Sequence, residues 1–138
     1  MTVHADGTGE HPAHYSGLER CASVWACPVC AAVIRATRAD EIERAALHAQ
    51  DAGMGLAFMT LTLRHKSEDG LAPSIDVLLG AWRSVQSWRA WKRLAARVGY
   101  VGAVRSTEVT YGGNGWHPHS HLLAVFERPL SAAELASF

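Results

Sequence analysis

The sequence predicts an α+β fold: an antiparallel sheet that carries a histidine-rich strand, flanked by helices, with a cysteine-rich segment near the N-terminus. Three observations predict it. Residues 56–63 read as a half-buried strand whose one face is wholly apolar and whose other face carries two threonines. Two more strand-like runs, 101–111 and 119–126, lie around Gly112-Gly113-Asn114-Gly115, a strong hairpin signal. Residues 31–52 and 74–98 are rich in helix formers, and the second segment spaces its apolar residues by threes and fours.

Taken in order, residues 1–18 are rich in Gly, His and small polar residues without periodicity and read as a flexible arm. Residues 19–138 read as a single domain. The helix over 31–52 is stopped by Asp51-Ala52-Gly53. In the strand 56–63, Ala57, Met59, Leu61 and Leu63 share one face, and Phe58, Thr60 and Thr62 share the other. A polar loop over 66–73 leads to a long amphipathic helix over 74–98, with Leu78, Trp82, Val85, Trp88, Trp91, Leu94 and Val98 along its stripe. Three of the five tryptophans lie on that stripe, as core residues. After the hairpin, Ser131 and Glu134 have the spacing of a capping box, so a helix is expected to open at 131 and the natural domain to continue beyond Phe138.

Composition excludes several classes. With 49% hydrophobic and 19% charged residues, the chain is not disordered throughout. Thirteen Lys+Arg against thirteen Asp+Glu exclude a globally basic protein that coats nucleic acid. No apolar run approaches the roughly 20 residues of a membrane helix, and the start lacks the regions of a signal peptide. An odd count of three cysteines suits a reducing compartment, so a cytoplasmic location without a membrane partner is expected. The charge is unevenly spread. Residues 77–107 hold no Asp or Glu and carry Arg83, Arg89, Lys92, Arg93, Arg97 and Arg105, a cationic surface suited to phosphate.

The strongest chemical signal is Trp116-His117-Pro118-His119-Ser120-His121. Residues two apart in a strand share a face, which presents His119 and His121 side by side as imidazole ligands for one divalent ion. With the turn centred between Gly113 and Asn114, Glu108 falls opposite His119 on the same face. His117 is a further ligand candidate whose direction, just before Pro118, is open. Two imidazoles and a carboxylate leave coordination positions free, as a catalytic metal requires. Such a mixed set suits manganese, magnesium or zinc. The second signal is Cys21, Cys27 and Cys30, with one C-x-x-C opened by Pro28. It reads as a structural zinc knuckle lacking a fourth ligand, which His14 or His11 is placed to supply. A redox pair and buried free thiols are the alternatives.

The Gly-rich turn followed by Trp116 and His117-Pro118-His119-Ser120-His121 resembles the central motif of rolling-circle plasmid replication initiators, in the HUH endonuclease superfamily. Other segments resemble the actinobacterial plasmid and phage members. They are 21–30 with Arg35 and Arg38 following, 58–65, and 104–112 leading into Asn114-Gly115-Trp116-His117. The resemblance runs from about Tyr15 to Phe126, with four segments in the family's order.

The resemblance implies an HUH-type nuclease domain that binds single-stranded or hairpin origin DNA, nicks one strand and works beside host replication proteins. It assigns the metal, manganese or magnesium, to His119 and His121 with Glu108 as acidic companion. The family's nucleophile is a tyrosine that forms a 5′-phosphotyrosine bond and frees a 3′-hydroxyl. Arg64, Arg89, Lys92, Arg93 and Arg105 are the candidates for phosphate contact. The chain departs from the family pattern twice: Ser120 replaces a bulky hydrophobic residue, and Tyr15, Tyr100 and Tyr111 all precede the histidine motif. The nucleophile is therefore expected beyond Phe138, which makes the chain the N-terminal part of an initiator. Three other readings compete: a single-tyrosine transposase of the same superfamily, a non-catalytic zinc-knuckle DNA-binding module, and a structural remnant of a truncated gene whose sheet lacks later elements.

Overall fold

The computed structural model describes residues 2–4, 14–17 and 19–137. The chain divides into two compact units, Met1–Glu41 and Ile42–Phe138. In the first, β1 (Thr2–His4) pairs antiparallel with β2 (His14–Ser16). Most of the arm expected over 1–18 lies outside the described residues. Helix α1 (Pro28–Asp51) starts in this unit and runs into the next. Pro28 occupies its first position, where the missing N–H has no helical partner to lose. The helix ends where the sequence places its stop: Gly53 takes a left-handed φ of 73°, and the amides of 52–54 return to the carbonyls of His48, Gln50 and Ala49.

The second unit is built on a three-stranded antiparallel sheet of β3 (Gly55–Thr62), β4 (Tyr100–Gly112) and β5 (Gly115–Phe126), in the order β3-β5-β4. The histidine strand β5 is thus central and has both of its backbone edges paired. The register of β4 with β5 places Glu108 opposite His119 and Gly112 opposite Gly115. Gly113 and Asn114 form the two-residue tip, and the chain takes its left-handed step at Gly115, where φ is 82°. A side chain at Gly115 would also meet the Ser67 carbonyl at 2.8 Å.

Alternation divides the sheet into two unlike faces. Pro118, Ser120, Leu122, Ala124 and Phe126 point to one face and are all buried. Val98, Ala124 and Phe126 form the core there, with Ala57, Met59, Leu94, Tyr100 and Leu130 packed around them. Two helices cover this face, α2 (Leu71–Ser87) on β5 and α3 (Arg89–Val98) against α2 and β4. The opposite face carries Phe58, Thr60, Thr62, Glu108, His117, His119 and His121, of which Phe58, Thr60, Thr62 and Glu108 are exposed.

The single helix expected over 74–98 is two helices. Trp88 leaves helical geometry (φ −69°, ψ 143°), its amide caps Val85, and its carbonyl receives Lys92 to open α3. The apolar spacing explains the break. From Trp82 through Val85, Trp88 and Trp91 to Leu94 every step is three, and each such step rotates the stripe by about −60° around a 3.6-residue helix. An unbroken helix would carry the stripe off the sheet; the break restores its phase. Trp88 is accordingly exposed, while Trp82 and Trp91 pack edge to face with centroids 5.0 Å apart. Helix α4 (Ala132–Leu135) opens with the expected capping box of Ser131 and Glu134. Among the described residues no helix is long and apolar enough to cross a membrane.

Candidate metal centre

Glu108, His119 and His121 are the three polar side chains that the β4–β5 register brings to one point. The Nε2 atoms of His119 and His121 lie 3.4 and 3.6 Å from Glu108 Oε2. All three ligand atoms fall within 4.8 Å of one another. Donors about 2.1 Å from a shared ion stand about 3.0 Å apart at right angles and about 3.4 Å apart on a tetrahedron, so the donor set fits one cation. Burial is graded across the cluster. The His119 side chain is 13% exposed, His121 32% and Glu108 57%, which leaves the solvent side open to a further ligand.

Each imidazole is held from behind. His119 Nδ1 lies 3.3 Å from the His117 carbonyl, which only accepts, so Nδ1 donates there and Nε2 is the nitrogen left facing Glu108. His121 Nδ1 lies 3.1 Å from Thr60 Oγ1, across the β3–β5 pair. Phe58 stacks on His121 at 5.2 Å and 21° and fixes the ring plane. Partners of this kind are the ones that orient histidines in metal sites generally.

His117 is not in this cluster. Its Nδ1 lies 3.4 Å from Nδ1 of His65, beyond the end of β3, with the rings 4.9 Å apart. His65 was not signalled by periodicity, because it lies outside the strand. Its Nδ1 also contacts the Leu63 carbonyl at 3.2 Å, while its buried Nε2 has no hydrogen-bond partner among the described residues.

Ser120 lies on the helix-covered face, 1% exposed, and its hydroxyl pairs with Thr107 Oγ1 at 3.0 Å. A small polar residue is accommodated there because its neighbour across the strand satisfies it. Tyr100 packs between Trp91 and Phe126, with centroids 5.2 and 5.8 Å away, and burial raises its pKa. Tyr111 lies opposite Trp116, on the face away from Glu108, and packs on that indole at 4.7 Å. Neither tyrosine shares the histidine face; the side chain of Tyr15 lies outside the described residues.

The basic candidates are not gathered at the cluster. Arg64 is exposed two residues beyond Thr62, the residue paired with His119. Arg105 pairs with Leu122 and so belongs to the other face. Arg89, Lys92 and Arg93 are exposed on α3, which packs on that same other face. The three cysteines do come together, in the first unit: their Sγ atoms lie within 4.8 Å of one another. Cys27 accepts the Cys30 amide at 3.5 Å, and that bond leads the causes that lower its pKa. Of the fourth ligands raised by the sequence, His11 and the side chain of His14 lie outside the described residues.

Over 136 aligned residues, 79% of this chain and 30% of the relative, the chain is 38% identical to Protein rep of Streptomyces lividans. Over 134 residues, 79% of this chain and 31% of the relative, it is 33% identical to a Neomycin resistance protein of Streptomyces cyanogenus. It thus spans less than a third of the length of these relatives. No solved structure matches. A family model described as Replication protein matches residues 18–130, most of the chain, and the chain belongs to that family.

Proposed function

We propose that this chain supplies the metal-holding face with which a rolling-circle plasmid replication initiator engages single-stranded origin DNA for nicking. The observation that carries this reading is the convergence of His119 Nε2 and His121 Nε2 on Glu108 Oε2, on an open sheet face of a replication-family chain. Glu108, His119 and His121 would hold the cation, manganese or magnesium. When bound, it supplies Lewis-acid polarisation of the scissile phosphate and offsets the charge that develops on it.

The remaining work falls to the chain itself. The His117 carbonyl and Thr60 hold the two imidazoles with their Nε2 atoms toward Glu108. The exposed ring of Phe58, beside His121, offers a flat apolar surface on which a base of the strand stacks. Arg64 supplies a positive charge near the same end of the sheet for the backbone. The nucleophile, which bonds to phosphorus as the 3′-oxygen leaves, is a tyrosine other than Tyr100 and Tyr111, since one is core and the other faces away.

The test is retention of a randomised 40-nucleotide single-stranded DNA pool on the immobilised chain with manganese, followed by a search for a denaturant-resistant adduct. Retention released by EDTA and lost in His121→Ala, without an adduct, is expected. Retention indifferent to both EDTA and His121→Ala overturns the metal-face reading. An adduct on Tyr100 or Tyr111 overturns the assignment of the nucleophile.

A further inference from the structure

We infer that Cys21, Cys27 and Cys30 form a second, structural metal site, a three-thiolate zinc centre that closes the start of helix α1 and is independent of the histidine face. The sulfur geometry is the first support. Cys21 Sγ and Cys30 Sγ are 3.7 Å apart and are not bonded to each other. Two sulfurs on a tetrahedron with zinc–sulfur bonds of about 2.3 Å stand about 3.8 Å apart. The third sulfur joins them within 4.8 Å.

The backbone is arranged to bring them there. Cys27 immediately precedes Pro28, the first residue of α1, and its sulfur accepts the Cys30 amide at 3.5 Å, so one turn presents both sulfurs of the C-x-x-C. Cys21 returns to the same point through Ala22, which alone among the described non-glycine residues has a positive φ, 52°. That is a conformation disfavoured for a residue with a Cβ. Ser23 Oγ accepts the Ala26 amide at 3.0 Å and tightens the intervening turn.

Packing supplies the independent observation. Across residues 19–41 only Cys30 and Ala31 are buried, while Trp25 is 78% and Val29 69% exposed. A short segment that buries so little apolar surface ordinarily depends on a metal or disulfides, and these three cysteines form no disulfide. The three sulfurs border an open basin of about 710 Å³, which leaves room for a fourth donor on the solvent side. Three soft thiolates select zinc over the harder cations that the Glu108 cluster suits.

The experiment is zinc analysis of the 138-residue chain purified over a chelating resin, by mass spectrometry of the metal, in parallel with variants. The expected content is one zinc per chain, retained by the His119→Ala/His121→Ala double variant and lost in Cys27→Ser and in Cys30→Ser. Zinc that follows the histidines, or a wild-type chain with three freely alkylated thiols and no zinc, overturns the proposal. Because a cysteine variant can fail to fold, cobalt substitution of the wild-type chain gives a second reading. An intense sulfur-to-cobalt charge-transfer band with tetrahedral visible bands is expected; octahedral cobalt without that band refutes a thiolate site.

Discussion

Thr60 lies outside the proposed ligand set, yet its hydroxyl is placed to decide how well His121 binds a metal. Thr60→Val removes the oxygen 3.1 Å from His121 Nδ1 and keeps the β-branched shape that suits the strand. The residue is exposed, so the sheet loses little by the change. A net hydrogen bond of about 0.5–1.5 kcal/mol corresponds to roughly 2- to 13-fold in affinity. Loss of an outer partner to a metal-binding histidine ordinarily costs about 10- to 100-fold. Water can take the place of an exposed hydroxyl, which selects the region where the two ranges meet, so manganese binding is expected to weaken about 10-fold. Thr62→Val is the control: Thr62 is paired with His119, whose Nδ1 is held by the His117 carbonyl instead. Isothermal titration of the chain with manganese chloride reads both variants against His121→Ala, where the loss is larger. Wild-type affinity in Thr60→Val, or an equal loss in Thr62→Val, refutes the orienting role.

Three other perturbations have defined outcomes. Ser120→Val is expected to destabilise the fold by about 1–3 kcal/mol in urea denaturation by leaving the Thr107 hydroxyl unpaired, and Thr107→Val in the same chain to recover part of it. Replacing Arg89, Lys92 and Arg93 by alanine is expected to leave both manganese affinity and the salt dependence of single-stranded DNA binding nearly unchanged, because α3 packs on the face away from the histidines; fluorescence anisotropy across a salt series checks it, and a slope flattened by about two units would place phosphate on α3 instead. Glu134 is held at about 2, below its ordinary 4.5, by the Arg128 guanidinium first and by the Ser131 amide and hydroxyl after it. A depressed carboxylate contributes its stability in full above pH 4.5 and loses it as pH falls toward 2. The Glu134 carboxyl carbon is therefore expected to titrate near the lower value by NMR, and in Arg128→Ala to move back toward the ordinary one.

The register of the site was legible because two periodicities suffice to set it. Once the tip is Gly113-Asn114, the pairing of Glu108 with His119 follows by counting, and alternation then separates Thr60 and Thr62 from Met59 and Leu61. What escaped the sequence depended on tertiary neighbours. The contact of His65 with His117 is made by a loop residue, to which no period applies. Trp88 fits a three-residue step as well as its neighbours do, and only the cumulative rotation of successive threes shows that one helix cannot hold them all. The cationic residues of 77–107 read as one surface in sequence, but the strand and helix that carry them place them away from the histidine face.

That separation follows from the construction of β5. One strand is both site and core: its odd positions 117, 119 and 121 carry the imidazoles, and its even positions 118, 120 and 122 are buried under the helices. A one-residue slip would exchange the two sets, burying three imidazoles and exposing Leu122 and Phe126. The same burial that stabilises the sheet therefore holds the ligand register, with no ion needed to select it. Substitutions at even positions are read in stability and those at odd positions in metal affinity. A chain in which His121→Ala lowered stability as much as Leu122→Ala would contradict this division, because Leu122 is fully buried whereas His121 gives up only a partly exposed ring.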